Sequence, residues 1–337
     1  MGIRSYLGAL SPRAVRAAFW IRNDLGGFVR LHFLSAAEQS GLIDALDTPQ
    51  TSAQLAARLG LPDDSILVGL LDVGVAVGEL GFRNGRYRRK GARIRTIAKK
   101  SGDPLRAMVI ELADYHSSVY LELPERMRSG VRGNYLNRYD EVIARSSVFM
   151  TPYIARFVRQ VVTETRANLL LEIGCGTGIY LKAAAEASPT ITGIGIDMSE
   201  RVVELARKNL GKWGFSERFR TECANINDPN PDLGDSFDLV TLHNNVYYFA
   251  EDARAKLFAE LRNRLRPGGR LVLVSLFKGP TTISTDLDLI LRATVDNYPL
   301  PERETLTSVL TEAGFTDIRF SRLIPAEPLF GVVAHAR

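Results

Sequence analysis

Residues 168–178 read NLLLEIGCGTG, and the helix-forming run LKAAAEA follows at residues 181–187. A short apolar run bounded by turn residues suits a strand buried on both faces. Gly174, Gly176 and Gly178 let the backbone turn sharply and approach a ligand that side chains would block. A strand, a glycine turn and a helix in that order open an α/β domain, which binds ligands beyond the carboxyl ends of its strands.

The same alternation continues downstream. ITGIGID (191–197), FRTECAN (219–225), FDLVTLH (237–243) and GRLVLVSLF (269–277) read as further strands. Helices fall between them, for example Ser199 to Leu210 and Ala253 to Leu265. A helix from Glu302 to Ala313 and two last strands, TDIRFSRL and LFGVVAHA, finish the chain. The expected fold class is therefore α/β, with a doubly wound, Rossmann-like domain over residues 166–337.

Spacing separates two ligand classes at the glycine turn. The dinucleotide pattern GxGxxG would put its third glycine at Ile179, whereas this loop has Gly178. A carboxylate two residues before the first glycine, Glu172, suits a ligand with an ammonium group rather than a pyrophosphate. That points to the methionine end of S-adenosylmethionine. Asp197, ending the second strand, is placed to accept hydrogen bonds from both ribose hydroxyls, and Met198 would pack on the adenine. Asn225, followed by Ile226 at the third strand end, has an amide to meet the adenine amine.

Upstream the character is helical. Leu31, Leu34 and Ala37 share one face of a helix ending near Gly41, and LIDAL follows. Thr51 and Ser52 look like a cap for AQLAARLG, closed by Gly60. Pro62-Asp63-Asp64 starts another helix, and Asn84-Gly85 marks a two-residue hairpin. Three helices and a hairpin suggest a winged helix within residues 1–130. Two helical segments follow, one from Pro104 to about Arg128 and, past SGVRGN, another from about Tyr139 to Arg166, and residues 131–165 are read as linker helices between the two domains.

Composition narrows the classes. With 45% hydrophobic and 24% charged residues over 337 positions, the chain reads as globular with two domains rather than disordered. The most apolar stretch, Ile66 to Phe82, is broken by Asp72 and Glu79, so no membrane span is expected. Arg4, Arg13, Arg16 and Arg22 lie among short apolar groups without a signal-peptide pattern, and a cytoplasmic location follows by default. Cys175 and Cys223 stand alone, and the four histidines are scattered, so neither a disulfide framework nor a metal site is expected.

The residues of the C-terminal half resemble the class I methyltransferases, including FDLV and the turn Leu265-Arg266-Pro267-Gly268-Gly269. The resemblance implies a seven-stranded sheet with one antiparallel strand and S-adenosylmethionine as cofactor, released as S-adenosylhomocysteine. It also implies Glu172, Gly174, Gly176 and Gly178 around the methionine moiety, Asp197 on the ribose and Asn225 near adenine. Asparagine at 225 departs from the commoner aspartate. The N-terminal order is similar to the dimerisation domain of small-molecule O-methyltransferases, which implies a homodimer whose winged helix serves subunit packing.

In that family a histidine base lies after the fourth strand in a Val-Leu-His-Asp-Trp-Ser-Asp-Glu pattern. Laid over residues 245–252, the pattern puts Tyr247 at the histidine position. A tyrosine hydroxyl is a poor base at neutral pH, so the candidates for chemistry are His243, one turn away, and Tyr247 as a sulfonium-shielding ring. Acceptor candidates are Tyr115, His116 and Tyr120 on one helix, Tyr248 beside Tyr247, and Asp286, Arg292 and Tyr298 in a cap-like stretch. Arg292 with the Arg86 cluster would favour an anionic acceptor.

Residues 82–100 carry nine basic side chains and no acid, which raises a rival: a winged-helix regulator that binds DNA and senses a nucleoside. The candidate recognition helix, SILVGLLDVGVAVGEL, has no Arg, Lys, Asn or Gln to read bases, which disfavours nucleic acid. The first expectation is methylation of a small molecule of secondary metabolism, on oxygen before carbon or nitrogen. The second is a peptide methyltransferase acting on a terminal carboxylate.

Overall fold

A computed structural model of the chain describes residues 12–226, 233–234 and 236–337. Arg4, among the N-terminal arginines, lies outside the described residues. The chain divides into two compact units, Met1–Pro124 with Tyr135–Phe149, and Glu125–Asn134 with Met150–Arg337.

The N-terminal unit begins with α1 (Pro12–Gln39), α2 (Leu42–Ala45), α3 (Ser52–Leu59) and α4 (Ser65–Ala76). Thr51 and Gln54 form a reciprocal capping box on α3, and Gly60 ends it at φ +67°. Gly74 in α4 has a packing reason: a Cβ there would sit 2.5 Å from the Phe33 ring. Asn84 and Gly85, at φ +50° and +72°, turn the hairpin β1 (Leu80–Arg83) to β2 (Arg86–Arg89), as a type I′ turn requires. Helix α5 (Ala92–Ile97) then adds Ile94 to a core with Leu42, Leu55 and Leu71, all fully buried.

Helices α6 (Asp103–Ile110) and α7 (Ser117–Ser129) are joined by a π-helical turn at Glu111–His116. The sequence predicts one helix from Tyr139 to Arg166. The structure instead has α8 (Leu136–Ser147), a 3-10 turn at Val148–Met150 and α9 (Thr151–Thr165). Pro152 explains the break, since it has no N–H to give and its ring clashes with a preceding helical carbonyl, while it fits a first turn.

In the C-terminal unit the parallel strands are β3 (Leu169–Ile173), β4 (Thr192–Asp197), β5 (Phe219–Cys223), β6 (Phe237–His243) and β7 (Leu265–Leu276). Helices α10 (Ile179–Ala187), α11 (Glu200–Trp213) and α12 (Arg254–Asn263) connect them, followed by α13 (Thr282–Ala293) and α14 (Arg303–Glu312). With β8 (Phe315–Arg322) and β9 (Leu329–Ala336) the sheet has seven strands in the order β5-β4-β3-β6-β7-β9-β8. Only β9 runs antiparallel to its neighbours, as the class I resemblance implies. The Arg266–Gly269 turn is a bulge in β7: Phe237 pairs with Leu265, and the next partner, Leu239, pairs with Arg270. One sheet face packs Phe237, Phe258 and Leu273, and the other packs Leu170, Leu181 and Val272. Among the described residues no helix is long and apolar enough to cross a membrane.

Candidate active site

Three adjacent strand ends, those of β3, β4 and β5, meet at one edge of the sheet. Gly174, Gly176 and Gly178 all hold positive φ (+68°, +53° and +79°), where an L side chain is strained. A Cβ on Gly176 would meet open space, so the loop presents bare backbone there. Asp197 ties this loop to its own strand end. One carboxylate oxygen accepts from the Gly176 amide at 3.1 Å and the other from the Ser199 amide at 3.1 Å. The Ala224 amide donates to the Asp197 carbonyl at 3.0 Å, which brings Asn225 to the same edge, half-buried. Met198 is 71% exposed, whereas Ile226 is buried in the core.

Glu172 and His243 point to the inside. Both line a small, partly open cavity of about 10 Å³ with Tyr180, Thr241, Val158 and Val161, a volume on the order of one water. Among the described residues, no hydrogen-bond partner of normal geometry meets either carboxylate oxygen of Glu172 or either ring nitrogen of His243. Burial pushes the Glu172 carboxyl well above its ordinary range, with a further push from the Asp197 charge. Burial also pushes His243 down, to about 3, so its ring is neutral at neutral pH. The ring stands edge-on to Tyr180 at 4.9 Å.

The segment after β6 holds the other candidates. Asn245 donates its Nδ2 to the Ile173 carbonyl at 2.7 Å, and Tyr247 stands edge-on to Tyr248 at 4.9 Å. The Tyr298 amide donates to the Tyr247 carbonyl at 2.8 Å, so Tyr247, Tyr248 and Tyr298 come together. Arg254, 4% exposed, donates to the carbonyls of Phe249 and Pro299 and clamps the same two loops. Arg292 pairs with Asp288 at 2.8 Å, and Asp288 also accepts from the Leu300 amide. SGVRGN joins this side: Gly133 exchanges backbone hydrogen bonds with Ala293 and Val295, and Arg132 donates to the Asn297 carbonyl.

Tyr115 and His116 belong to the N-terminal unit. Both are buried in a ring cluster in which Tyr115 stacks on Tyr139 at 5.1 Å. Tyr120, by contrast, is exposed there. Asn245, Tyr180 and Arg254 were not singled out from the sequence, because each acts through contacts with residues of another segment. Among the described residues no group of His, Cys, Asp or Glu could hold a metal ion.

Residues 170–269 match a family model described as a methyltransferase domain. The chain carries a methyltransferase domain. Its fold is that of the class I S-adenosylmethionine-dependent methyltransferases, and relatives share it along nearly the whole chain. The mitomycin 7-O-methyltransferase MmcR is 18% identical, with a TM-score of 0.81 over 97% of this chain and 100% of its own. Human N-acetylserotonin methyltransferase, solved with S-adenosylmethionine, is also 18% identical, with a TM-score of 0.73 over 97% and 99%. By sequence, a demethylmenaquinone methyltransferase of Symbiobacterium thermophilum is 25% identical over 233 residues, 60% of this chain and 90% of the relative.

Proposed function

We propose that this methyltransferase moves a methyl group from S-adenosylmethionine to an acidic oxygen of a small molecule, releasing S-adenosylhomocysteine. The observation that carries the cofactor is the donor set at the three strand ends. Glu172 offers two buried oxygens, without a partner of normal geometry, next to the glycine loop, which suit an ammonium. Each Asp197 oxygen accepts one backbone amide and keeps a lone pair for a ribose hydroxyl. Met198 and Asn225 flank the adenine, with Ile226 supporting them from the core. Once bound, the cofactor supplies a sulfonium methyl open to in-line attack.

The protein's share is alignment and water exclusion. Tyr247 acts directly, its ring beside the sulfonium and Tyr248 edge-on behind it. His243 acts as a positioning residue through packing, its buried, neutral ring lining the same cavity as Glu172 and standing edge-on to Tyr180. With His243 buried and neutral, an acceptor that gives up its own proton readily, a phenol or a carboxylic acid, suits the site best. Tyr298 and Arg292 are the proposed acceptor contacts. Methylation of oxygen agrees with the activity of the mitomycin 7-O-methyltransferase.

We also assign a homodimer built on α1. Phe19, Trp20, Ile21, Leu25 and Phe28 are each at least half exposed on that helix, an apolar load that a monomer in water would cover.

The function is tested with S-adenosylmethionine and a panel of phenols, carboxylic acids and amines of matched size, with products identified by mass spectrometry. Methyl ethers or esters are expected. Methylated amines alone, or carbon-methylated products alone, would overturn the choice of oxygen.

A further inference from the structure

The basic run of residues 82–100 plays no part in methyl transfer as proposed, and the structure gathers part of it into a groove. An open groove of about 480 Å³ lies between the loop Leu46–Pro49, strand β2 and the end of α5. Four cations line it: Arg88, Arg89, Arg95 and Lys99. None of the four forms an ion pair among the described residues. One acid, Asp47, also lines the groove, and Asp44, which lies within electrostatic reach of Arg89, is near it, but each is engaged by another arginine. Asp47 is held by Arg58 through two contacts at 2.7 and 3.1 Å, which keeps its carboxyl at about 2. Asp44 is held by Arg106 in the same two-point fashion.

The groove is also built rather than loose. Gln50 and Tyr87 exchange backbone hydrogen bonds at 2.7 and 3.0 Å, which fastens the loop to β2. Arg86 donates to the Pro49 carbonyl and to Gln54, fixing the loop from the other side. Gly81 lets the Arg88 side chain lie across β1, since a Cβ there would press on its Nε at 3.3 Å.

We propose that this groove binds a small molecule carrying several phosphate groups, at a site separate from methyl transfer. Guanidinium forks match phosphate oxygens two at a time, so three arginines and a lysine around one volume favour a polyphosphate over a single carboxylate. The volume is that of a small-molecule site, within the usual range of several hundred Å³. Duplex DNA is the lesser choice, because α4 exposes the apolar Ile66 and Val75 and the acidic Asp72, and has no Arg, Lys, Asn or Gln to read bases.

Calorimetric titration of the full chain with sodium triphosphate tests the site, with ATP, inorganic phosphate and a random duplex as further arms. One triphosphate per chain is expected, bound more tightly than phosphate and more weakly as salt rises. The double variant Arg88→Ser/Arg95→Ser should lose about tenfold or more in triphosphate affinity, with its melting temperature and S-adenosylmethionine affinity unchanged. If that variant does not fold, Lys99→Glu carries the same expectation. Absence of saturable triphosphate binding, or equal affinity in wild type and variants, would overturn the proposal. So would duplex binding that triphosphate does not displace.

Discussion

Asn245 reaches 72 residues back along the chain to donate its Nδ2 to the Ile173 carbonyl at 2.7 Å. A Cβ on Gly174 would come within 2.6 Å of that same nitrogen. The end of β3 and the segment after β6 are thus locked by one amide, which fits only because residue 174 has no side chain. In the proposed site, this lock sets the glycine loop against the loop that carries Tyr247.

Asn245→Ala should therefore weaken S-adenosylmethionine binding by about tenfold, the loss of one buried hydrogen bond of roughly 1–1.5 kcal/mol. Gly174→Ala should do at least as much, since it adds strain at φ +68° to the clash. Calorimetric titration with the cofactor checks both. Wild-type affinity in either variant would show that the lock does not shape the site.

The two buried groups give opposite pH dependences. His243 has a folded pKa lowered to about 3 from an ordinary 6.5. Between those values the unfolded chain holds a proton that the folded one does not. Its stability contribution is full above about 6.5 and is lost as pH falls toward 3, with a limiting slope of about 1.4 kcal/mol per pH unit. His243→Phe should flatten the acid limb of a melting-temperature profile between pH 3.5 and 6.5 (bounds of about one unit). An unchanged limb would mean that His243 titrates normally.

Glu172 has a folded pKa raised above 4.5 by burial. Its contribution is full below that ordinary value and is lost as pH rises toward the folded one. Without cofactor, Glu172→Gln should thus melt higher than wild type at pH 8, while binding S-adenosylmethionine about ten- to a hundredfold more weakly. A variant that loses stability at pH 8 and keeps its affinity would remove Glu172 from the ammonium site.

Two glycines of α4 should respond with opposite signs. Gly69 has nothing within 4 Å of an added Cβ, so Gly69→Ala should stabilise by up to about 1 kcal/mol through helix propensity. At Gly74 the same change meets the buried Phe33 ring at 2.5 Å and Leu80 at 2.8 Å. Overpacking of about 1–3 kcal/mol should outweigh the propensity gain. Urea melts of both variants decide it, and a stabilised Gly74→Ala would show that the Phe33 contact yields.

If α1 supports a dimer, Trp20→Glu with Phe28→Glu should shift the mass in solution from two chains to one. Light scattering after gel filtration reads this directly. A wild-type monomer, or a dimer unmoved by both charges, would contradict the assignment.

Much of this was legible in the chain itself. Strand positions followed from apolar runs between turn residues, and Thr51, Gly60 and Asn84-Gly85 marked their cap and turns through local chemistry. The single helix expected over Tyr139–Arg166 is two, because apolar spacing continued past a proline that starts a new helix. The interior position of Glu172 was not legible for a different reason. β3 is covered on both faces, so alternation does not say which face a residue takes; its pairing with Thr241 in β6 does. Asn245 and Arg254 likewise gain meaning only from carbonyls that the fold brings to them.

The most direct test of methyl transfer to a small molecule uses trideuteromethyl S-adenosylmethionine with the purified protein and extract of its source cells. Mass spectrometry of the small and large fractions should find a molecule heavier by one trideuteromethyl group in the small fraction, with none formed by Asp197→Ala. Label confined to peptides, or an equal yield from that variant, would contradict the account.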